Sequence, residues 1–162
     1  GPTMLRAAEI LKEMRCPFVI NQNRYSIFDR TIEKNGLKAR AVEEGKGIIA
    51  FSPLEQGLLT DKYLKGIPVG SRIQKDGRFL KESSLTPERL SQIAALNDLA
   101  HERGETLAQM AVNWILKDGE VTSVLIGASS PKQIVENVRG IKEKAFSQEE
   151  LLCIDRINSC VL

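Results

Sequence analysis

Gly47 to Phe51 reads GIIAF, five residues that are apolar on both faces and bounded by turn formers. A strand with one wet face alternates apolar and polar residues. An unbroken apolar run belongs instead to a strand covered on both sides, as in parallel sheets. Two further short runs, in PFVINQ (17–22) and in VTSVLI (121–126), can stand beside it. Helical patterns separate all three. Strands that take turns with helices pair in parallel and carry helices on the sheet faces. The expected class is therefore α/β, with three clear parallel strands and flanking helices.

The helices announce their ends. Ala7, Ala8, Ile10, Leu11 and Met14 fall on one face of an N-terminal helix, and Leu37 to Glu44 can form another. Thr86 is placed to cap a long helix with Pro87 in its first turn and Gly104 as its stop. The next helix presents Leu107, Met110, Ala111, Trp114 and Ile115 as a buried stripe, and Ser147 with Glu150 reads as a capping box for the last. Between GIIAF and Thr86 lies a long stretch rich in glycine and charge, without a sustained period. Loops of that length in compact domains are usually lids or binding loops. No repeat or low-complexity linker divides the chain, so residues 1–162 are expected to form one domain.

Charge narrows the function classes. The 162 residues hold 23 basic and 21 acidic side chains, interspersed, for a net charge of +2. There is no basic stripe to suit nucleic acid. No apolar run approaches the roughly 18 residues of a membrane span, and the N-terminus is amphipathic, so a soluble, cytoplasmic protein is expected. Cys16, Cys153 and Cys160 show no metal-binding spacing and the single His101 removes the usual zinc partner, which makes free thiols the expected state.

One segment stands out, VTSVLIGASSPKQIVEN (121–137). By itself it is a strand followed by a well-made helix start, with Ser130 as cap, Pro131 in the first turn and Gln133 where a capping-box partner belongs. The free amides of such a start also suit an anion, and Gly127 and Ala128 keep side chains away from it. In barrels of alternating strands and helices, the C-terminal ends of strands are where ligands bind.

The blocks GIIAFSPLEQGLLTDKYLKGIPVGSR (47–72) and TLAQMAVNWILKDGEVTSVLIGASSPKQIVENV (106–138) together resemble the C-terminal half of the aldo-keto reductases. Within them the resemblance points to the subgroup of bacterial glyceraldehyde 3-phosphate reductases and potassium-channel β subunits. It implies the C-terminal part of a (β/α)8 TIM barrel that binds NADP(H) without a Rossmann fingerprint and acts on a small carbonyl substrate.

The resemblance also assigns residues. Gln22 resembles the glutamine that hydrogen-bonds the nicotinamide carboxamide, a task suited to an amide that both donates and accepts. Phe51 resembles the aromatic against which the nicotinamide stacks. Ser52, Pro53, Leu54, Gln56 and Gly57 match the loop folded over the pyrophosphate, while Glu55 departs from the small residue often found there and would repel phosphate unless turned away. Lys62 and Arg72 match basic residues of the lid. Gly127, Ser129 and Gln133 match the site for the 2′-phosphate and ribose, and Glu136 and Asn137 match residues that bond adenine. No acid lies between Gly127 and Gln133, and Lys132 is near, which favours NADP(H) over NAD(H).

The family's catalytic Asp, Tyr, Lys and His come from the first half of the barrel, which this sequence does not contain. Tyr25 and Tyr63 fall at non-catalytic positions of the pattern and His101 lies among helical charges, so no catalytic residue is expected. The chain is either a piece of a reductase or a natural half-barrel, and the opening Gly1-Pro2 would suit a protease-cleavage remnant. Unpaired strand edges then call for cover, by a second copy or by the missing half. The alternative reading is a non-catalytic nucleotide-binding or interaction module, related to the channel β subunits.

Overall fold

The computed structural model describes residues 2–69, 71–75, 80–128, 130–141 and 145–159, with only the backbone at Arg72 and Lys75. Helix α1 (Pro2–Glu13) leads into β1 (Ile20–Arg24), a one-turn α2 (Thr31–Lys34), α3 (Leu37–Glu43) and β2 (Gly47–Phe51). The long connection that follows contains 3-10 turns at Glu55–Gly57, Asp61–Tyr63 and Glu82–Ser84 and the single helical turn α4 (Arg72–Lys75). Then come α5 (Pro87–Glu102), α6 (Leu107–Leu116), β3 (Ser123–Val124), α7 (Pro131–Gly140) and α8 (Gln148–Ser159).

The strands pair in parallel in the order β1-β2-β3. Gln22 lies opposite Ile49, Arg24 opposite Phe51, and Ile49 opposite Ser123. Residues opposite one another in a sheet share a face, so Gln22, Arg24, Ile49, Phe51 and Ser123 look the same way. That face is open: Gln22, Arg24 and Ser123 are exposed and Ile49 and Phe51 half-buried. On the other face Ile48 and Ala50 are fully buried beneath the helices. GIIAF is thus covered on one side within this chain, and its second apolar side faces outward.

The core lies on the covered side. Ile93, Leu96 and Ala100 of α5, Met110, Trp114 and Ile115 of α6 and Ile154 of α8 meet Ile48 and Ala50 there. Tyr25 and Ile27, just after β1, also sink into it. Burying side chains of this size stabilises by about 1.5–3 kcal/mol each. Helix α5 packs on α6 and α8, and α6 packs on α7.

The expected helix signals are present. Thr86 accepts a hydrogen bond from the Arg89 amide, Gly104 ends that region at φ +72°, and Ser147 and Glu150 form reciprocal bonds of 3.1 and 2.6 Å. Helix α6 has a capping box of its own, Thr106 with Gln109. Two strands are displaced from expectation. The first begins at Ile20 rather than Pro17, and Val19 is 70% exposed. The third spans only Ser123–Val124, although the Thr122 and Leu125 amides extend its ladder to the Ile48 and Ala50 carbonyls. Helix α1 also differs: only Met4 is buried, and Ile10 and Met14 stand exposed. The outer edges of β1 and β3 carry no strand neighbour among the described residues.

Candidate functional site

The candidate residues of the first two strands meet at their C-terminal ends. Gln22 and Phe51 share the open face on adjacent strands, two positions apart in register. Strand spacing and rise put their Cα atoms about 8 Å apart. Phe51 offers part of its ring and Gln22 its amide to the same space.

Directly after β2 the backbone turns sharply. Ser52 (φ 55°), Glu55 (φ 44°) and Gln56 (φ 60°) all occupy the left-handed region without being glycine. Each such residue costs on the order of 1 kcal/mol or more and persists only where surroundings hold it. Here the Gly57 and Leu59 amides both donate to the Leu54 carbonyl, at 2.8 and 3.1 Å, and Pro53, Leu58 and Leu59 are buried. Gln56 Nε2 reaches back to Ser52 Oγ at 3.4 Å, and Thr60 Oγ1 donates to the Gly57 carbonyl at 2.7 Å.

Glu55 is the main anchor of this turn. Its side chain is 9% exposed, in contact with Arg24 Nη2, and accepts from Ser26 Oγ at 2.8 Å. Arg24 also faces Asp29 at 3.4 Å. The bond to Glu55 raises the Arg24 pKa above its ordinary value, against the opposing effect of burial. The carboxylate that threatened a phosphate loop is therefore turned into the end of β1 and neutralised there. Sequence reasoning missed Arg24, Ser26 and Asp29, because a pairing 31 residues apart leaves no local signal.

The third group sits beyond β3. Ser130 caps α7 by accepting from the Gln133 amide at 3.4 Å. Gly127, Gln133 and Glu136 are exposed, and Lys132 Nζ lies 3.6 Å from Glu136. Asn137 is half-buried beside an apolar groove of about 230 Å³ between α6, β3 and α7. Helix α7 is tied to α6 by Gln109 Nε2 to the Glu136 carbonyl (3.2 Å) and Asn113 Nδ2 to the Gly140 carbonyl (2.9 Å). Ser129 and the Arg72 side chain lie outside the described residues. Lys62 is exposed, with Nζ 5.8 Å from the Tyr63 ring.

Tyr25 and Tyr63 are buried and His101 is exposed. The Tyr25 hydroxyl lies against Glu33 and accepts from Lys117 Nζ at 3.2 Å. Burial, then the bond to Glu33, pushes the Tyr25 pKa up, and burial pushes that of Lys117 down. This pair belongs to the packing around Trp114, whose ring lies 3.8 Å from Lys117 Nζ and 4.5 Å from Arg30 Cζ.

Parallel strands with helices on one face and candidate ligand residues gathered at their C-terminal ends define part of a (β/α)8 barrel. A solved glycerol dehydrogenase from Gluconobacter oxydans has the same arrangement, with TM-score 0.68 and 28% identity over 85% of this chain and 41% of that one. Residues 3–159 match the model of the Aldo/keto reductase family. The chain belongs to that family, as its C-terminal part. It is 45% identical over 154 residues to the L-glyceraldehyde 3-phosphate reductase of Escherichia coli K12, covering 93% of this chain and 44% of that protein. A putative voltage-gated potassium channel subunit beta of Schizosaccharomyces pombe is 38% identical over 128 residues, covering 76% and 37%. The chain thus spans less than half the length of these relatives. The family acts on carbonyl substrates, and among the described residues no helix is long and apolar enough to cross a membrane.

Proposed function

We propose that this chain is the NADP(H)-binding portion of an aldo-keto reductase that reduces a small carbonyl compound to an alcohol. The observation that carries the reading is the shared open face of Gln22 and Phe51, bordered by a strained turn whose one acid is already neutralised. Gln22 would donate to and accept from the nicotinamide carboxamide while Phe51 packs against the ring. The turn at Ser52–Gly57 would line the pyrophosphate, with Lys62 and Arg72 closing over it. Gly127, Ser129 and Gln133 would take the 2′-phosphate at the amide end of α7, and Glu136 and Asn137 the adenine. The bound cofactor supplies hydride; carbonyl reduction also needs a positioned acid.

That acid is missing from the proposed assignments, so the chain alone is proposed to be inactive. With NADPH and an aldehyde it should give no turnover above background. Measurable reduction would overturn the assignment of no catalytic residue. Gln22→Ala should weaken NADPH binding by about tenfold, the loss of roughly one to two hydrogen bonds.

A second reading has its own support. Ile134 and Val138 are exposed on α7, Ile141 just after it and Leu125 just after β3, and Ile20 of β1 stands exposed with Met14 and Val19 in the segment that precedes it. Apolar surface at both sheet edges favours an interaction module, whose edges are covered by a second copy or by the remainder of a barrel. In that case the nucleotide would be dispensable and association would survive its removal.

A further inference from the structure

Arg24 stands directly opposite Phe51 in register, on the same open face, yet it is not among the residues assigned to the nucleotide. Its guanidinium forks onto Glu55, with Nε 3.4 Å from Oε1 and Nη2 in contact with Oε2. The same Oε1 accepts from Ser26 Oγ at 2.8 Å, and Ser26 Oγ in turn accepts from the Asp29 amide at 3.0 Å. Asp29 closes the ring, its Oδ2 3.4 Å from Arg24 Nε. Ser26 is fully buried and Glu55 nearly so, whereas Arg24 is half exposed. Three residues at the end of β1 thus grip one residue of the turn that follows β2.

That turn is strained. Ser52, Glu55 and Gln56 take left-handed backbone without glycine's freedom, a conformation that relaxes toward ordinary backbone unless something opposes it. Gln56 bonds to Ser52 within the turn, whereas Glu55 reaches across to the end of β1. A carboxylate withdrawn from water, forked by a guanidinium and bonded by a hydroxyl, is a strong and directional tether. Cutting the fork leaves the turn free to exchange between its strained and relaxed forms. A ligand that needs the strained form then binds in proportion to that form's population.

We propose that Arg24 and Glu55 are a positioning pair for the nucleotide, holding the Ser52–Gly57 turn in its binding form before the cofactor arrives. The inference rests on the reading of that turn as the lining of the pyrophosphate. Arg24 commits Nε and Nη2 to Glu55, and the two opposite charges cancel, so the pair acts through the backbone geometry of the turn and not through contact with phosphate. Preorganisation of this kind raises affinity by removing the ordering cost from the binding step.

The test is fluorescence titration of the full chain with NADPH in wild type, Arg24→Met, Glu55→Gln and the double variant, each checked to be folded by circular dichroism. Arg24→Met should weaken binding about tenfold, as for a turn correctly formed one-tenth of the time. Glu55→Gln keeps the side-chain shape and should by itself weaken binding about fivefold, so the test stands without Arg24→Met. In the Glu55→Gln background Arg24→Met should change the affinity less than about twofold, because the tether is already cut. Loss of global stability alone leaves the affinity of the folded chain unchanged. Without nucleotide, the Gly57 and Leu59 amides, which bond to the Leu54 carbonyl, should exchange with deuterium about tenfold faster in Arg24→Met. Unchanged exchange, or an equal loss of affinity from Arg24→Met in both backgrounds, would overturn the pair, the latter by showing that Arg24 meets the phosphates itself. A wild type that does not bind NADPH sinks the nucleotide reading and this proposal together, whereas saturable wild-type binding that neither single variant weakens sinks this proposal alone.

Discussion

Replacing Arg24 with Met removes the partner of a carboxylate that cannot easily reach water. Glu55 is 9% exposed, whereas Arg24 is 48% exposed, so the pair lies half inside the protein. Orphaning one member of a fully buried pair costs about 3–5 kcal/mol. Solvent on the Arg24 side screens part of this, and Ser26 still donates to the carboxylate, which brings Arg24→Met to about 2 kcal/mol. Glu55→Gln keeps the shape and an acceptor for Ser26, so it costs ~1 kcal/mol. The double variant leaves no orphaned charge and should also cost ~1 kcal/mol, giving a coupling of ~2 kcal/mol. The assay is urea unfolding followed by Trp114, the only tryptophan, which is 1% exposed and flanked by two cations. With a urea dependence of about 2 kcal/mol per molar, the Arg24→Met midpoint should fall by about 1 M. If the two single costs simply add in the double variant, Glu55 is not held by Arg24, and the account of the strained turn is wrong.

Gly140→Ala places a methyl where Gln109 Cγ would lie 2.3 Å away. Gln109 must then leave the Glu136 carbonyl and its capping box, so we expect about 1–2 kcal/mol of destabilisation in the same urea assay. Asp118 contacts Lys38, which also pairs with Glu120 at 2.6 Å. Burial raises the Asp118 pKa, but the Lys38 bond and the Glu120 amide outweigh it and hold it below its ordinary value. A depressed folded-state carboxylate stabilises above its unfolded value and loses that contribution as pH falls through the folded one. Asp118→Asn should therefore cost ~1 kcal/mol at pH 7 and progressively less below about pH 4, read as unfolding midpoints across pH. Sedimentation velocity should show self-association through the open edges, and a monodisperse monomer would count against covered edges.

GIIAF was legible to the residue, because its β2 ladder and its buried Ile48 and Ala50 follow from a local pattern. The start of α5 was legible for a similar reason: Thr86 and Pro87 act on the amides beside them. The bounds of β1 and β3 were not, since strand length depends on neighbours and each has only β2 among the described residues. The apolar face of α1 misled in the same way, as amphipathicity reports a need for cover and not who provides it. In the site, residue types and their order were readable around Phe51 and Gly127, but the left-handed backbone at Ser52, Glu55 and Gln56 was not. Glu55 looked like a repulsive intruder in sequence; its pairing with Arg24 is a tertiary event.

The central proposal is that this chain is the NADP(H)-binding portion of an aldo-keto reductase. A fluorescence titration of the full chain with NADPH and, separately, NADH tests it most directly. The account predicts saturable binding, tighter for NADPH, and weakened about 2- to 10-fold by Phe51→Ala, the range expected for one lost aromatic contact. A flat titration with both nucleotides, or equal affinity for the two that Phe51→Ala leaves unchanged, would contradict it.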